Sequence, residues 1–207
     1  MVAGKIVLII GVTGGFATGK STVSGYFKEF GACVFDADKI AHDILRKGLP
    51  AYRDVVSWLG GRILAKDGSI DRKRLAQIVF RRRKDLERLN RILHPRVKER
   101  LRLRSAALCR KRPDAVAVWD VPLLFESGLD REVDVTVVVN AKPSLQTARG
   151  LCRSRLTEND IKLRVKFQMP MDEKIKRADY RIDNNGTLEE LKVKVRQVWK
   201  KIIRGRE

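Results

Sequence analysis

The sequence has few cysteines, few aromatic side chains and no long apolar run, and each shortage excludes a class of protein. Cys33, Cys109 and Cys152 show no C-x-x-C spacing, so neither a disulfide framework nor a zinc site is indicated. Aromatic residues make up only 6% of the chain, which leaves no evident platform for stacking nucleic-acid bases. No apolar run approaches the ~18 residues that a spanning helix needs, so we expect no membrane association.

Acidic residues are also scarce relative to basic ones. The 207 residues include 45 Lys and Arg but only 25 Asp and Glu, which gives a formal net charge of +20. Such an excess is compatible with nucleic-acid binding, with a phosphate-rich substrate or with a solvated basic surface. The basic residues are scattered over the whole length, with modest runs such as 81–84. This distribution favours a basic surface and a phosphate site over a nucleic-acid partner.

The clearest positive signal is a phosphate-binding loop. Residues 14–21 read G-G-F-A-T-G-K-S and fit the motif G-x-x-x-x-G-K-[ST]. The apolar run Ile6–Ile10 predicts a buried parallel strand before the loop, and Ser21–Phe30 predicts a helix after it. In such a loop, main-chain N–H groups surround phosphate, Lys20 reaches the β- and γ-phosphates, and the Ser21 hydroxyl binds Mg²⁺. The sequence therefore predicts a nucleotide site with Mg²⁺.

Three acidic residues follow predicted strands. Asp36 and Asp38 come after the strand 32–35, and they would share one face if that strand continued. One of them could accept a proton from an attacking hydroxyl while the other caps the next helix, and the residues alone leave both assignments open. Asp120 ends the predicted strand 115–119, which fits the metal-side carboxylate that accompanies a phosphate loop.

The order of the remaining elements indicates an α/β fold. Residues 40–113 show helical periodicity without a strand signal, and further strands are predicted at 133–139 and 178–183. Strands that alternate with helices predict a doubly wound parallel sheet, here with a helical insertion. Helix-capping patterns occur at Asp71, Thr157 and Thr187.

Two basic features in the predicted helices are candidates for ligand contact. His94-Pro95 suits the first turn of a helix, and His94 could contact substrate, although capping or packing explains it equally well. Arg149 and Arg153 lie four residues apart on one helical face. Arginine suits planar recognition of phosphate, so this pair could close over a transferring phosphoryl group, and a solvated face is the alternative.

These features leave several functions open. A kinase for a nucleoside monophosphate or another small metabolite would share the loop and the sheet. A basic ATPase that depends on RNA or DNA would also share the loop. The run Ile6–Ile10 is short and leads straight into the loop, so we expect no signal peptide. Together with the cysteine usage, this predicts a cytoplasmic protein, and we expect a monomer or a weak homo-oligomer.

Five motifs together resemble the dephospho-coenzyme A kinase family over about residues 7–198. They are T-G-G-x-x-x-G-K-S-T at 13–22, D-A-D-x-I-A at 36–41, L-H-P at 93–95, D-V-P-L-L-F-E-S-G-L at 120–129 and I-D-N-N-G-T at 182–187. The set is far more specific than the phosphate loop, which many unrelated proteins share. The loop reads Phe16-Ala17-Thr18 where the family usually has Ile-Gly-Ser, a difference that bears on loop rigidity.

The resemblance implies transfer of the ATP γ-phosphate to the ribose 3′-hydroxyl of dephospho-coenzyme A, the last step of coenzyme A synthesis. It implies a P-loop kinase-like core at about 5–39, 114–147 and 178–203. A helical coenzyme A-binding lobe would occupy about 40–113 and a helical lid about 148–170.

Site residues carry over by position. The implied catalytic residues are Lys20, Arg149 and Asp38, with Asp38 as the general base. The implied metal ligands for Mg²⁺ are Ser21 and Asp120. The implied ATP-binding residues are Gly14, Gly15, Phe16, Ala17, Thr18, Gly19, Lys20, Ser21, Thr22, Asn185 and Gly186. The implied substrate-binding residues are Asp36, Asp38, His94, Leu123 and Glu126.

Overall fold

The computed structural model describes residues 7–153 and 168–205 of the chain. These residues contain five strands, β1 (Leu8–Gly14), β2 (Cys33–Asp36), β3 (Val116–Asp120), β4 (Val135–Asn140) and β5 (Tyr180–Asp183). All neighbours pair in parallel, and the order across the sheet is β2-β3-β1-β4-β5. The predicted five-stranded parallel α/β sheet is confirmed.

Helices connect and cover the strands. The described α-helices are α1 (Lys20–Glu29), α2 (Ala37–Ile44), α3 (Pro50–Leu59), α4 (Arg72–Val79), α5 (Arg83–Lys111), α6 (Pro143–Arg153), α7 (Met171–Arg177) and α8 (Leu188–Arg204). Short 3₁₀ turns lie at Gly61–Ile63 and Leu129–Glu132. None of the helices in the described ranges is long and apolar enough to cross a membrane. The predicted capping box at Thr157 lies outside those ranges.

The central strand β1 extends further than the apolar run predicts. It continues past Ile10 to Gly14, because it pairs with β3 through Val12 and with β4 from Ile10 to Gly14. Backbone hydrogen bonds on both sides keep the chain extended even where its side chains are small or polar. Helices α1 and α8 bury Phe27 and Leu191 in the same apolar cluster as this strand. The phosphate loop therefore starts from a strand held on both edges.

The chain divides into two compact units. One comprises residues 1–36 and 103–207 and carries the sheet, and the other comprises residues 37–102. The boundary cuts through α5, whose last turns belong to the unit with the sheet. Within that unit, the indole nitrogen of Trp119 donates a buried hydrogen bond to the hydroxyl of Ser105 (2.9 Å). This bond ties the end of α5 to β3.

The second unit is helical and has its own apolar core. That core includes Val55, Leu59, Ile63, Leu75, Val79 and Leu89. Asp71 caps α4, since its side chain accepts hydrogen bonds from the N–H groups of Lys73 (3.0 Å) and Arg74 (3.1 Å), as predicted. An isolated bridge pairs Leu64 with Ile70, so this unit has almost no extended structure in the described chain, in accord with its helical periodicity.

The prediction of a new helix at His94-Pro95 is wrong. Helix α5 is continuous and has Pro95 inside it, although proline lacks the N–H that an inner helical turn needs. The guanidinium of Arg96 donates to the main-chain oxygen of Ile92 (2.7 Å) and also to the carboxylate of Asp54 in α3 (2.6 Å). These side-chain bonds stabilise the turn at the proline, and no local sequence pattern shows them.

Thr187 caps the last helix with the predicted capping box. Its hydroxyl accepts from the N–H of Glu190 (3.2 Å), and the Glu190 carboxylate accepts from the N–H of Thr187 (3.0 Å). We expect Thr187→Ala to lower the free energy of unfolding by about 1 kcal/mol, because the box satisfies an N–H group at the helix start. Urea denaturation checks this value.

The control is Thr147→Ala. The Thr147 hydroxyl is exposed and bonds back to the carbonyl of Pro143 inside α6, where it satisfies no orphan donor. Its loss should change stability by less than about 0.5 kcal/mol. Equal losses in the two variants would contradict the capping argument.

Candidate active site

The sheet brings the candidate residues to its carboxyl edge. The register aligns Asp36 of β2 with Asp120 of β3, and Asp120 with Val12 of β1. It aligns Asn140 of β4 with Asp183 of β5. Ligands of open parallel sheets bind outside this edge. The strand ends therefore place one side-chain cluster beside the loop that leaves β1.

The phosphate loop has a tightly constrained backbone. Gly19 has φ of 91°, a left-handed conformation that glycine adopts without strain, and it caps α1. The N–H groups of Thr22 (3.0 Å) and Val23 (3.1 Å) bond to the Gly19 carbonyl and start the helix. A Cβ on Gly14 would lie only 2.7 Å from the main-chain oxygen of Val139. Both motif glycines are thus required by conformation or space.

The middle of the loop contains the one described non-glycine residue with positive φ. This is Ala17, with φ of 53°, at the position where the related family usually has glycine. The hydroxyl of Thr18 is fully buried and donates to the carbonyl of Gly15 (3.0 Å). Left-handed backbone at alanine costs roughly 1 kcal/mol, so the bonds around the loop hold it in that conformation.

A buried ion pair links the loop to β3. Lys20 is the first residue of α1 and Asp120 the last of β3, and the lysine Nζ bonds directly to a carboxylate oxygen of Asp120. The two side chains are only 13% and 5% exposed. Both motif charges, predicted from separate parts of the chain, therefore lie in one place.

The donor set fits Mg²⁺ held together with phosphate. Ser21 stands exposed in the first turn of α1, and Asp120 supplies a carboxylate. Residues 7–153 and 168–205 contain no cluster of three His, Cys, Asp or Glu side chains that could hold a metal by itself. Mg²⁺ commonly uses one or two protein oxygens and completes its shell with water and substrate phosphates. A hydroxyl and a carboxylate are suitable ligands for that arrangement.

Asp36 and Asp38 do not share a strand face. β2 ends at Asp36 and α2 begins at Ala37, so Asp38 lies in the first helical turn of the second unit. The chain turns at once into a helix because Ala37, Ile40 and Ile44 bury one face. Both carboxylates are exposed. The strand does not continue to Asp38, so the condition under which the two carboxylates would share one face is not met. Asp36 lies at the end of β2 and Asp38 two residues later, as predicted.

Arg149 lies in α6 and reaches the loop after β5. One guanidinium nitrogen donates to the main-chain oxygen of Asn184 (3.1 Å), and another lies 3.5 Å from its side-chain oxygen. Arg149 is half-buried, so it is more constrained than a solvated surface cation. The side chain of Arg153 and most of the predicted lid, 154–167, lie outside the described residues.

The turn that contains the implied ATP-binding residues Asn185 and Gly186 follows β5. Asn185 and Gly186 are exposed, and the Asn185 side chain accepts from the N–H of Lys142 (2.8 Å). Burial raises the pKa of Asp183, but hydrogen bonds from Arg181 and Asn140 and nearby positive charge outweigh it, so the net pKa lies below its usual range. The Asp183 carboxylate is therefore ionised, and it accepts a hydrogen bond from Asn140 of the neighbouring strand β4.

Glu126 lies in a buried network after β3. One carboxylate oxygen accepts from the Nζ of Lys174 (2.8 Å) and from the N–H of Met169 (2.8 Å). Lys174 is fully buried and also donates to the carbonyl of Pro122 (3.0 Å). The second oxygen of Glu126 is buried without a hydrogen-bond partner among the described residues. This network fixes the segment that follows Asp120.

The other candidate substrate residues are spread over both units. Leu123 is half-buried in the turns after β3 and belongs to the same segment as Glu126. His94 is half-buried in the part of α5 that belongs to the helical unit. Thr13 supports the segment from β1, because its buried hydroxyl donates to the Pro122 carbonyl (3.0 Å).

Two residues, Lys174 and Asn184, have side-chain roles that the motifs do not indicate. Lys174 stands among charged residues in α7 and reads as a solvated helix cation, yet it is fully buried. Asn184 lies inside the I-D-N-N-G-T motif, and a signal was available, because a polar residue directly after a parallel strand faces the ligand edge. The local sequence predicts neither the burial of Lys174 and Asn184 nor their hydrogen-bond partners.

A five-stranded parallel sheet of this order, whose central strand leads into such a loop, defines a nucleotide-binding protein with a P-loop kinase-like fold. Comparison with known proteins gives the family. A family model described as dephospho-CoA kinase matches residues 8–190, and the chain belongs to that family. It is an enzyme that phosphorylates dephospho-CoA with ATP, the final step of coenzyme A biosynthesis. The resemblance carried by the motifs is confirmed.

Individual relatives cover nearly the whole chain. The dephospho-CoA kinase of Geobacillus kaustophilus is 45% identical over 183 residues, which are 88% of this chain and 90% of the relative. Among solved structures, the Thermus thermophilus protein TT1252 matches with a TM-score of 0.77 and 31% identity, over 95% of this chain and 98% of its own. The dephospho-CoA kinase from Campylobacter jejuni matches with a TM-score of 0.68 and 29% identity, over 96% and 98%.

The buried Glu126–Lys174 pair generates a stability prediction. Lys174→Met should lower the free energy of unfolding by about 3 kcal/mol or more, because it leaves the Glu126 carboxylate buried without its cation. The double variant Lys174→Met, Glu126→Gln should recover much of that loss, since a neutral amide still accepts from the N–H of Met169. Urea denaturation of both variants measures the difference.

The matched control is Lys192→Met. Lys192 pairs with Glu29 at 2.7 Å, but its side chain is 41% exposed and that of Glu29 53% exposed. An exposed pair contributes about 0–1 kcal/mol, so this variant should unfold close to wild type. If the double variant is as unstable as Lys174→Met, then lost packing, and not an unpaired charge, causes the decrease in the free energy of unfolding.

Proposed function

We propose that this chain transfers the γ-phosphate of ATP to the ribose 3′-hydroxyl of dephospho-CoA through the residues gathered at the carboxyl edge of its sheet. The observation that supports this most directly is the buried Lys20–Asp120 pair at the end of the phosphate loop. The Lys20 ammonium, which can bind phosphate, lies beside the Asp120 carboxylate, which can bind a metal ion. Phosphoryl transfer mainly requires positioning and charge neutralisation, which such a site supplies.

Lys20 and the loop N–H groups bind the phosphates of ATP. The charge of Lys20 is balanced by Asp120 in this structure. If a metal cation pairs with Asp120 instead, the Lys20 ammonium can bind phosphate oxygens. Ser21 and Asp120 would hold Mg²⁺, which when bound neutralises charge on the phosphate oxygens. Gly14 and Gly19 let the chain pass close to the phosphates, where a Cβ would intrude or strain the backbone.

Asp38 is the general base of the proposed reaction. It accepts the proton of the 3′-hydroxyl as that oxygen forms a bond to the γ-phosphorus, while the bond from the γ-phosphorus to the bridging oxygen of ADP breaks. Asp38 lies two residues beyond β2 and is exposed, so a substrate that arrives from solvent can reach its carboxylate. Asp36, at the end of β2, is the alternative base.

Arg149 stabilises the charge on the transferring phosphoryl group. Its guanidinium is half-buried and already bonded to the loop after β5, which reduces the side-chain entropy lost on contact with phosphate. The predicted lid, about 148–170, begins within α6, the helix that carries this arginine. The Asn185–Gly186 turn contacts adenine in this proposal.

The remaining expectations belong to the same proposal. The helical region at about 40–113 binds the coenzyme A portion of the acceptor, and His94, Leu123 and Glu126 contribute to that binding. Mg²⁺ is the metal, and ATP the phosphate donor. The protein acts in the cytoplasm as a monomer or a weak homo-oligomer and takes no nucleic-acid partner.

Acceptor choice is tested by coupled ADP release with ATP and Mg²⁺. We expect turnover with dephospho-CoA and none above background with nucleoside monophosphates or single-stranded RNA. Omission of Mg²⁺, or addition of a chelator, should abolish turnover. Turnover with a monophosphate would contradict the acceptor assignment, and stimulation by RNA at physiological salt would give the +20 net charge a role in nucleic-acid binding.

Variants test the proposed roles. Lys20→Ala and Asp38→Asn should each lower kcat by orders of magnitude in a protein that remains folded by circular dichroism. Arg149→Ala should also lower kcat strongly. Asp36→Asn is the matched comparison for the base, and a larger loss at Asp36 than at Asp38 would transfer the role to Asp36. Near-normal turnover in Lys20→Ala would refute its place on the phosphates.

A further inference from the structure

We infer that Asn184 is a positioning residue for ATP: its buried side chain holds the phosphate loop in shape, and its main chain holds Arg149. Asn184 follows β5 directly and is only 5% exposed. The family motif implies backbone contact with adenine over the turn 183–186, and it implies no role for the Asn184 side chain. The inference rests on the proposed roles of the loop and of Arg149.

The side chain of Asn184 reaches the phosphate loop across the sheet edge. Its amide nitrogen donates a buried hydrogen bond to the main-chain oxygen of Thr18 (2.8 Å), a residue 166 positions earlier in the sequence. The hydroxyl of Thr18 is already used inside the loop, where it bonds to the Gly15 carbonyl. Asn184 therefore supplies a long-range bond that braces the loop from outside.

The same amide packs against the last glycine of the motif. A Cβ built on Gly19 would lie 2.2 Å from the amide nitrogen of Asn184, a distance that no real contact allows. Gly19 is thus required twice, once by its φ of 91° and once by the close approach of Asn184. The contact lies where the loop becomes α1, immediately before Lys20. Asn184 consequently limits how far this turn can relax.

The main chain of Asn184 joins the loop to Arg149 and to the sheet. Its N–H donates to the Asn140 carbonyl of β4 (2.8 Å), which fixes its backbone to the strands. Its carbonyl accepts from the guanidinium of Arg149 (3.1 Å). One buried residue therefore sets the relative positions of two phosphate-binding elements, and it needs no contact with ATP to do so.

This placement predicts a selective kinetic effect. A hydrogen bond of this kind contributes about 1 kcal/mol, so its loss should raise the KM for ATP roughly 5- to 10-fold by leaving the loop less ordered. The KM for dephospho-CoA should change less than twofold, because the described hydrogen bonds of Asn184 go to the phosphate loop, Arg149 and β4. A residue that only stabilised the fold would shift the melting temperature and neither KM.

The experiment compares Asn184→Ala, Asn184→Asp and Asn140→Ala with wild type. Asn184→Ala removes the bond and leaves space, whereas Asn184→Asp keeps the size but cannot donate to the Thr18 carbonyl. KM values are measured for both substrates, and ATP affinity is measured by calorimetry without acceptor. Asn140→Ala deletes a neighbouring side-chain bond to Asp183 that does not reach the loop.

We expect both Asn184 variants to bind ATP roughly 5- to 10-fold more weakly, with Asn140→Ala within twofold of wild type. Normal ATP affinity in Asn184→Ala would show that the bond to the Thr18 carbonyl does not support ATP binding, and it would overturn the inference. An equal loss in Asn140→Ala would overturn it too, because the effect would then be general loosening of the sheet edge. Calorimetry reports on Asn184 even if the acceptor assignment fails, so the two failures are distinguishable.

Discussion

Parallel pairing of β1 with β3 on one side and β4 on the other is the constraint on which the site depends. β1 is hydrogen-bonded on both edges, and these bonds keep it extended as far as Gly14. The phosphate loop therefore starts at a fixed position at the carboxyl edge of the sheet. The same register aligns Val12 with Asp120, so the carboxylate ends beside the first turn of α1. The Lys20–Asp120 pair is a consequence of this register and of the loop length together.

Around that pair, the protein balances buried charge locally while its surface stays strongly basic. Lys174 is fully buried and has Glu126 beside it, Arg149 has a carbonyl partner, and Asp183 has cations and amide donors. Such pairing is what makes charge tolerable in a low-dielectric interior. Among the described residues, every Lys and Arg except Lys174 is exposed or half-buried, so their charge lies mostly on solvated side chains.

The fold and the motifs answer different questions about function. A P-loop sheet specifies phosphate chemistry, but the acceptor depends on residues that the sheet merely positions. In this chain, the segment after Asp120 and the turn after β5 contain the family motifs, and both are anchored by long-range hydrogen bonds to the loop or to α7. The family motifs therefore include residues that hold the site together as well as residues that face the substrates.

Local patterns in the sequence determined the phosphate loop at 14–21 between its strand and helix, the cap at Asp71 and the capping box at Thr187. Each of these depends on neighbours within a few residues. Tertiary structure alone decided what depends on distant partners. Helix α5 continues through Pro95, where Arg96 bonds to Asp54 of α3, and the buried Lys174 pairs with Glu126. The side-chain amide of Asn184 donates to a loop residue that lies 166 positions earlier in the sequence, and only the folded sheet brings the two residues together.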